Sequence, residues 1–121
     1  MEESEIKIPG INSESALELL EGDTDIYLAL LESFTESTPD ILDSLRNVNK
    51  ENLQEYAVNV HGLKGICAGI GAVEASAKAK QFELLAKAGD LPGVAAGNAD
   101  LLKTVEKLID DIKSWQNSNS K

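Results

Sequence analysis

Residues 59–72 read NVHGLKGICAGIGA, with four glycines inside ten positions beside His61, the single histidine of the chain. Glycine in a helix interior costs roughly 1 kcal/mol against alanine, so this crowding in a chain rich in helix formers needs a reason. On a helical wheel of about 100° per residue that starts at Leu53, one face holds Leu53, Tyr56, Ala57, Val60, Leu63, Cys67 and Ile70. His61 falls about 80° round, just past the edge of that face, and Lys64 follows one turn on along the same flank. Gly65, Gly69 and Gly62 lie at roughly 120°, 160° and 180°. They form a ridge on the wet side of the helix, next to the imidazole. Two explanations compete: close approach of another helix, or unobstructed access of a partner to His61. Access fits better, because the opposite face is the one a bundle buries.

Outward from this helix the same periodicity continues. Upstream, Tyr27, Leu31, Phe34, Thr38, Ile41, Leu45 and Val48 alternate steps of four and three and predict one stripe. Pro39 interrupts the stretch and normally ends or kinks a helix, yet the stripe keeps its phase, which predicts one long kinked helix or two stacked end to end. Before it, Ser13 is read as the N-cap of a short helix with Ala16, Leu17, Leu19 and Leu20, closed by Gly22, and Asp23 or Thr24 caps the next. Asn49 to Asn52 read as a turn. Downstream, a helix from about Ala72 carries Ala75, Ala79, Phe82 and Ala86 and closes at Gly89. Asp90 to Gly93 read as a turn with Asp90 as cap, and the last helix carries Val94, Leu101, Val105, Leu108 and Ile112.

No segment alternates with a period of two, and the connections are short, so the expected fold is all-α: an up-and-down antiparallel four-helix bundle with a short extra N-terminal helix. The expected division is a polar lead-in over 1–12, the bundle over 13–116 and a polar tail over 117–121.

Composition narrows the function. Eleven basic against 21 acidic side chains give a net charge of −10, which repels nucleic acid and anionic membranes within about one Debye length, roughly 8 Å at physiological salt. No nucleic-acid or membrane partner is expected. Cys67, the lone cysteine, permits no internal disulfide or cysteine metal cluster, and its place in the apolar stripe reads as a small buried hydrophobe. Neither a signal peptide nor a membrane-spanning run is recognisable, so a soluble, cytoplasmic protein or a cytosolic piece of something larger is expected, and the chain is expected to be a monomer. His61 has no second histidine and no carboxylate at i+3 or i+4, which makes it a poor metal ligand; no metal site is expected. No G-x-x-x-x-G-K-[ST] or G-x-G-x-x-G phosphate loop occurs, so the chain is not expected to phosphorylate itself. Trp115 reads as an apolar end-piece of the last helix, and Glu2-Glu3 and Asp110-Asp111 as solvated surface.

An imidazole with its ordinary pKa near 6.5 offers a nucleophilic ring nitrogen at neutral pH. An ammonium at i+3 stands beside any anion added to it. A histidine, a bared surface and an adjacent cation suggest a covalent phosphoryl carrier, though residue spacing alone leaves a helical adaptor open. His61-Gly62-Leu63-Lys64-Gly65, followed by Gly69 and Gly71, resembles the H-x-x-K-G core of histidine-containing phosphotransfer (HPt) domains. The resemblance covers nearly the whole chain: PGINSESALELLEGDTDIYLALLESF is similar to the family's N-terminal and first bundle helices, and AVEASAKAKQFELLAKAGDL to the helix after the active histidine. Gly62 and Ile66-Cys67 depart from the family's frequent hydroxyl-bearing or smaller residues.

The resemblance implies that His61 accepts a phosphoryl group on Nε2 from the aspartyl phosphate of a receiver domain and passes it to an aspartate of another. It also implies that Lys64 stabilises the phosphoryl oxygens, that Gly65 leaves room for them and that Glu83 holds the other ring nitrogen. Gly62, Gly65 and Gly69 are the expected docking surface. No cofactor is expected in this chain, the Mg²⁺ of the chemistry belonging to the receiver. The alternatives are the phosphoacceptor domain of a chemotaxis-type kinase, charged by a kinase domain, and the adaptor.

Overall fold

Asn12 opens the first helix. In the computed structural model, which describes residues 6–119, its side chain accepts from the Ser15 N–H at 3.0 Å and caps α1 (Ser13–Leu19). Ser13, the expected cap, lies inside the helix and donates its hydroxyl to the Ile6 carbonyl at 2.6 Å instead. Asn12 is fixed at the boundary because its own N–H donates to the carbonyl of Gly71, in the short connection between the third and fourth helices, at 2.8 Å. The lead-in is accordingly more than a polar approach: Ile6 and Ile8 are buried in the core. Its first five residues, with Glu2-Glu3, lie outside the described residues, as do residues 120–121 of the tail.

Gly22 closes α1 as expected, donating to the Leu17 carbonyl at 2.8 Å with φ +79°, and Glu21 before it is also left-handed at +56°. Asp23 then caps α2 (Thr24–Leu45) through the Ile26 N–H at 3.1 Å. α2 is one helix that runs through Pro39. Proline has no N–H, so the Thr35 carbonyl loses its usual partner four residues on, but both flanks are anchored by Phe34, Thr38, Leu42 and Leu45 in the core. The stripe differs in one step. Leu42, not Ile41, is buried, and Ile41 and Val48 pack half-buried at the margin. From Thr38 a step of four lands about 40° round the helix and a step of three about 60° short of it, so Leu42 stays closer to the core direction.

Asn49 and Asn52 exchange side-chain to backbone hydrogen bonds at 2.7 and 2.9 Å, a paired Asx turn that sets up α3 (Leu53–Gly69). All seven residues expected on the apolar face of α3, from Leu53 to Ile70, are buried. α4 (Val73–Lys87) buries Ala75, Ala79, Phe82 and Ala86 as expected, and Glu83 with them. Gly89 follows with φ +76°. Asp90 caps α5 (Leu91–Asn119) by accepting from the Gly93 N–H at 2.9 Å. The expected turn over 90–93 is therefore the first helical turn, where Pro92 needs no N–H. α5 runs past residue 116 into the stretch read as tail, and Trp115 packs half-buried against the core.

The described residues form five helices and no strand. α3 packs chiefly on α4, α4 on α5, and α2 on both α3 and α5, around one core, while α1 rests on α2. Two polar ties cross that core. Tyr27 on α2 donates to the Ile70 carbonyl at 2.8 Å, closing the end of α3. Tyr56 on α3 donates to Asn98 Oδ1 at 2.7 Å, and Asn98 Nδ2 donates to the Leu45 carbonyl at 2.8 Å. Asn98 thus joins α5, α3 and the last turn of α2, all three groups being buried and hydrogen-bonded. Gly97 beside it admits Phe82, whose ring tip would stand 2.8 Å from an added Cβ.

Candidate functional site

α3 and α4 present His61 and Glu83 to each other. The imidazole is exposed, with 62 % of its side chain accessible, whereas the Glu83 carboxylate is 4 % exposed. His61 Nδ1 lies 2.7 Å from Glu83 Oε2. Two ammoniums complete the cluster: Lys64 Nζ is 2.9 Å from Glu83 Oε1, and Lys87 Nζ 2.9 Å from Oε2. Lys87 first, then Lys64 and more weakly the imidazole, outweigh burial and hold the Glu83 carboxyl down at about 2.

That ionisation fixes the histidine. A carboxylate only accepts hydrogen bonds, so the short contact requires Nδ1 to carry a proton and donate. In the neutral ring Nε2 is then left with its lone pair, and the same contact pins the ring's orientation. The arrangement is a solvent-facing nitrogen nucleophile with its tautomer set from below.

The glycines separate into two kinds. Gly71 is architectural: its φ is +84°, and an added Cβ would fall 2.3 Å from the Asn12 carbonyl oxygen. A Cβ at Gly62, Gly65 or Gly69 meets nothing within 4 Å, and all three are exposed. Nothing packs against them. Gly65 and Gly69 instead floor a cleft walled by Leu30, Ser33, Phe34 and Ser37 of α2. The α2 wall was not singled out in the sequence, where Leu30 falls off the main stripe.

Of the expected site residues, the structure brings His61, Lys64 and Glu83 into one cluster, with Gly62 and Gly65 bare alongside. Lys64 engages Glu83 rather than standing free beside the ring. Lys87 escaped the sequence reading, although its i+4 spacing from Glu83 is the favourable helical order for an acid and a base. Cys67 is buried, and burial pushes its thiol up to about 12, as fits a small core residue. Among the described residues no group of three or more His, Cys, Asp or Glu side chains is placed to hold a metal ion, and no helix is long and apolar enough to cross a membrane.

The family model of the Hpt domain matches residues 29–115, well over half of the chain, from within α2 to near the end of α5. No curated protein and no solved structure matches the chain.

Proposed function

The chain belongs to the Hpt domain family, whose members carry phosphoryl groups on histidine in two-component systems and are carriers rather than kinases, and on that premise we propose that His61 is its phosphoacceptor, Nε2 the reacting atom and receiver domains its donors and acceptors. The observation that carries this reading is the 2.7 Å contact of His61 Nδ1 with an ionised, buried Glu83. α2 to α5 are taken as an up-and-down antiparallel bundle, an order that the packing of consecutive helices supports.

The Nε2 lone pair attacks the phosphorus of a receiver aspartyl phosphate. The N–P bond forms as the P–O bond to the aspartate breaks, and the aspartate leaves as a carboxylate with the electron pair. The imidazole keeps Nδ1–H and becomes positively charged, opposite Glu83. In the onward step a second receiver's aspartate attacks phosphorus, the N–P bond breaks and its electron pair returns to Nε2. Mg²⁺ belongs to the receiver, and this chain supplies position and charge. Gly62, Gly65 and Gly69, with the cleft beside them, form the surface on which the receiver seats.

Incubation with a phosphorylated receiver tests this. The chain should gain an acid-labile, base-stable phosphoryl group that His61→Gln abolishes with helical content intact. Label persisting in that variant refutes the assignment, and label that only a kinase domain with ATP can install favours the chemotaxis-type reading.

A further inference from the structure

Glu83 holds more positive charge than one histidine requires. Its oxygens divide their partners: Oε2 takes His61 Nδ1 at 2.7 Å and Lys87 Nζ at 2.9 Å, and Oε1 takes Lys64 Nζ at 2.9 Å. The two lysines differ in place. Lys64 is the one cationic side chain of α3, a turn beyond His61, and is 27 % exposed. Lys87 belongs to α4, a turn beyond Glu83, is 62 % exposed, and shares the oxygen that receives Nδ1–H. It therefore sits on the Nδ1 side of the ring, while the reacting nitrogen faces away.

A phosphoryl group on Nε2 calls for a cation, and Lys64 is the lysine on the histidine's own helix. Yet Lys64 is engaged by a buried carboxylate, and stripping a partner from a buried charge is strongly unfavourable. We propose that Lys87 is a positioning residue that keeps Glu83 compensated, so that Lys64 can pass from Glu83 Oε1 to the phosphoryl oxygens once His61 is charged. This rests on the phosphoacceptor reading of His61.

Charge closes on this scheme without any proton moving. Before transfer, one carboxylate, two ammoniums and a neutral imidazole sum to +1. Afterwards the imidazole carries +1 and the phosphoryl group −2, so the cluster sums to zero. Glu83 then faces the imidazolium and Lys87, and Lys64 faces the phosphoryl oxygens. With Lys87 in place, Glu83 keeps an ammonium neighbour in both states, joined by the imidazolium in the second, while Lys64 changes partner.

The test is a double-mutant cycle on the lifetime of the phosphorylated chain. Phosphoramidate charges the purified protein by transfer of its phosphoryl group to Nε2 with release of ammonia, and ³¹P NMR follows the loss of phosphohistidine to water. Lys87→Met should shorten that lifetime about three- to tenfold when Lys64 is present, and by less than about twofold in a Lys64→Ala background, as expected of residues acting through one another. Lys87→Arg should keep the wild-type lifetime, and Lys87→Gln, a second neutral variant at this exposed position, should match Lys87→Met. Equal effects in both backgrounds overturn the proposal, since Lys87 would then act on the phosphoryl group directly, and so does an unchanged lifetime. A chain whose His61 takes no phosphoryl group from phosphoramidate or from a phosphorylated receiver overturns the phosphoacceptor reading, and this proposal with it, before any variant is compared.

Discussion

Substituting Gly65 separates access from packing in one protein. The residue lies in the interior of α3, and an added Cβ meets no atom within 4 Å. Nothing in the fold opposes a side chain there. Glycine to alanine in a helix interior recovers up to about 1 kcal/mol, and glutamine recovers nearly as much. With an unfolding entropy of roughly 2.1 cal/mol/K per residue, a chain of 121 residues shifts its Tm by about 4 °C for each kcal/mol. Gly65→Ala and Gly65→Gln should therefore melt at or up to about 4 °C above wild type. The chemistry should fail for a geometric reason. Side chains of a helix lean back over the preceding turn, so residue 65 covers the position of residue 61, four residues earlier. On the proposed reading, glutamine there projects into the space that a phosphoryl group and its receiver must enter. Circular dichroism melts and receiver-to-domain transfer, measured on one preparation, check both halves. A Gly65→Gln protein that melts several degrees lower returns the glycine to packing. One that melts as expected and still transfers at the wild-type rate removes access as its reason.

The opposite sign is expected at Gly97→Ala, where Phe82 must give way: overpacking costs about 1–3 kcal/mol, so a net loss of roughly 1 kcal/mol and a lower Tm should appear in the same melts. Thr38 Oγ1 is buried without a hydrogen-bond partner, and Thr38→Val should hold or gain about 1 kcal/mol in denaturant unfolding. Glu83→Gln should slow transfer roughly tenfold or more, because a hydrogen bond to a charged group is worth about 1.5 kcal/mol or more, and a transfer time course reads this directly. The Glu83 carboxyl is held at about 2 in the folded chain against an ordinary value of 4.5, so its stabilising share is complete above about pH 4.5 and is lost as pH falls towards 2. The stability difference between wild type and Glu83→Gln should shrink over that window, and a difference that stays flat refutes the pairing.

The helices were legible because their apolar faces repeat, and most errors fell where the chain turns. Asn12 and Ser13 are both competent caps, and the choice between them depends on Gly71, which lies far along the chain. Leu91-Pro92-Gly93 carries turn signals that also suit a first helical turn, and only the Asp90 cap decides between them. Ile6 and Ile8 sit in a charged context, with no period of their own to announce burial. At the site, His61 and Lys64 were visible from one helix. Glu83 was named only through the family resemblance, since its partner is on another helix. Lys87 belongs to the same cross-helix cluster and escaped altogether.

Glu83 also shows why the apolar pattern alone misleads in this region. By packing energy a carboxylate is a poor occupant of a buried position on α4, next to Phe82 and in line with Ala79 and Ala86. It is retained there at the cost of engaging two of the chain's 11 basic side chains, in a protein that is already 10 charges negative. A core selected for stability alone would place an apolar residue at that position, a replacement that is often neutral or stabilising for buried ion pairs. The imidazole gives the arrangement its sense. An apolar residue at 83 would leave Nδ1 free to lose its proton in place of Nε2, and the ring free to turn. The buried charge fixes both, and on the proposed reading the bare ridge of Gly62, Gly65 and Gly69 leaves the fixed nitrogen open to a receiver. On that reading the two costly features of this sequence, a buried acid and a run of helical glycines, are two halves of one device, and neither would serve without the other.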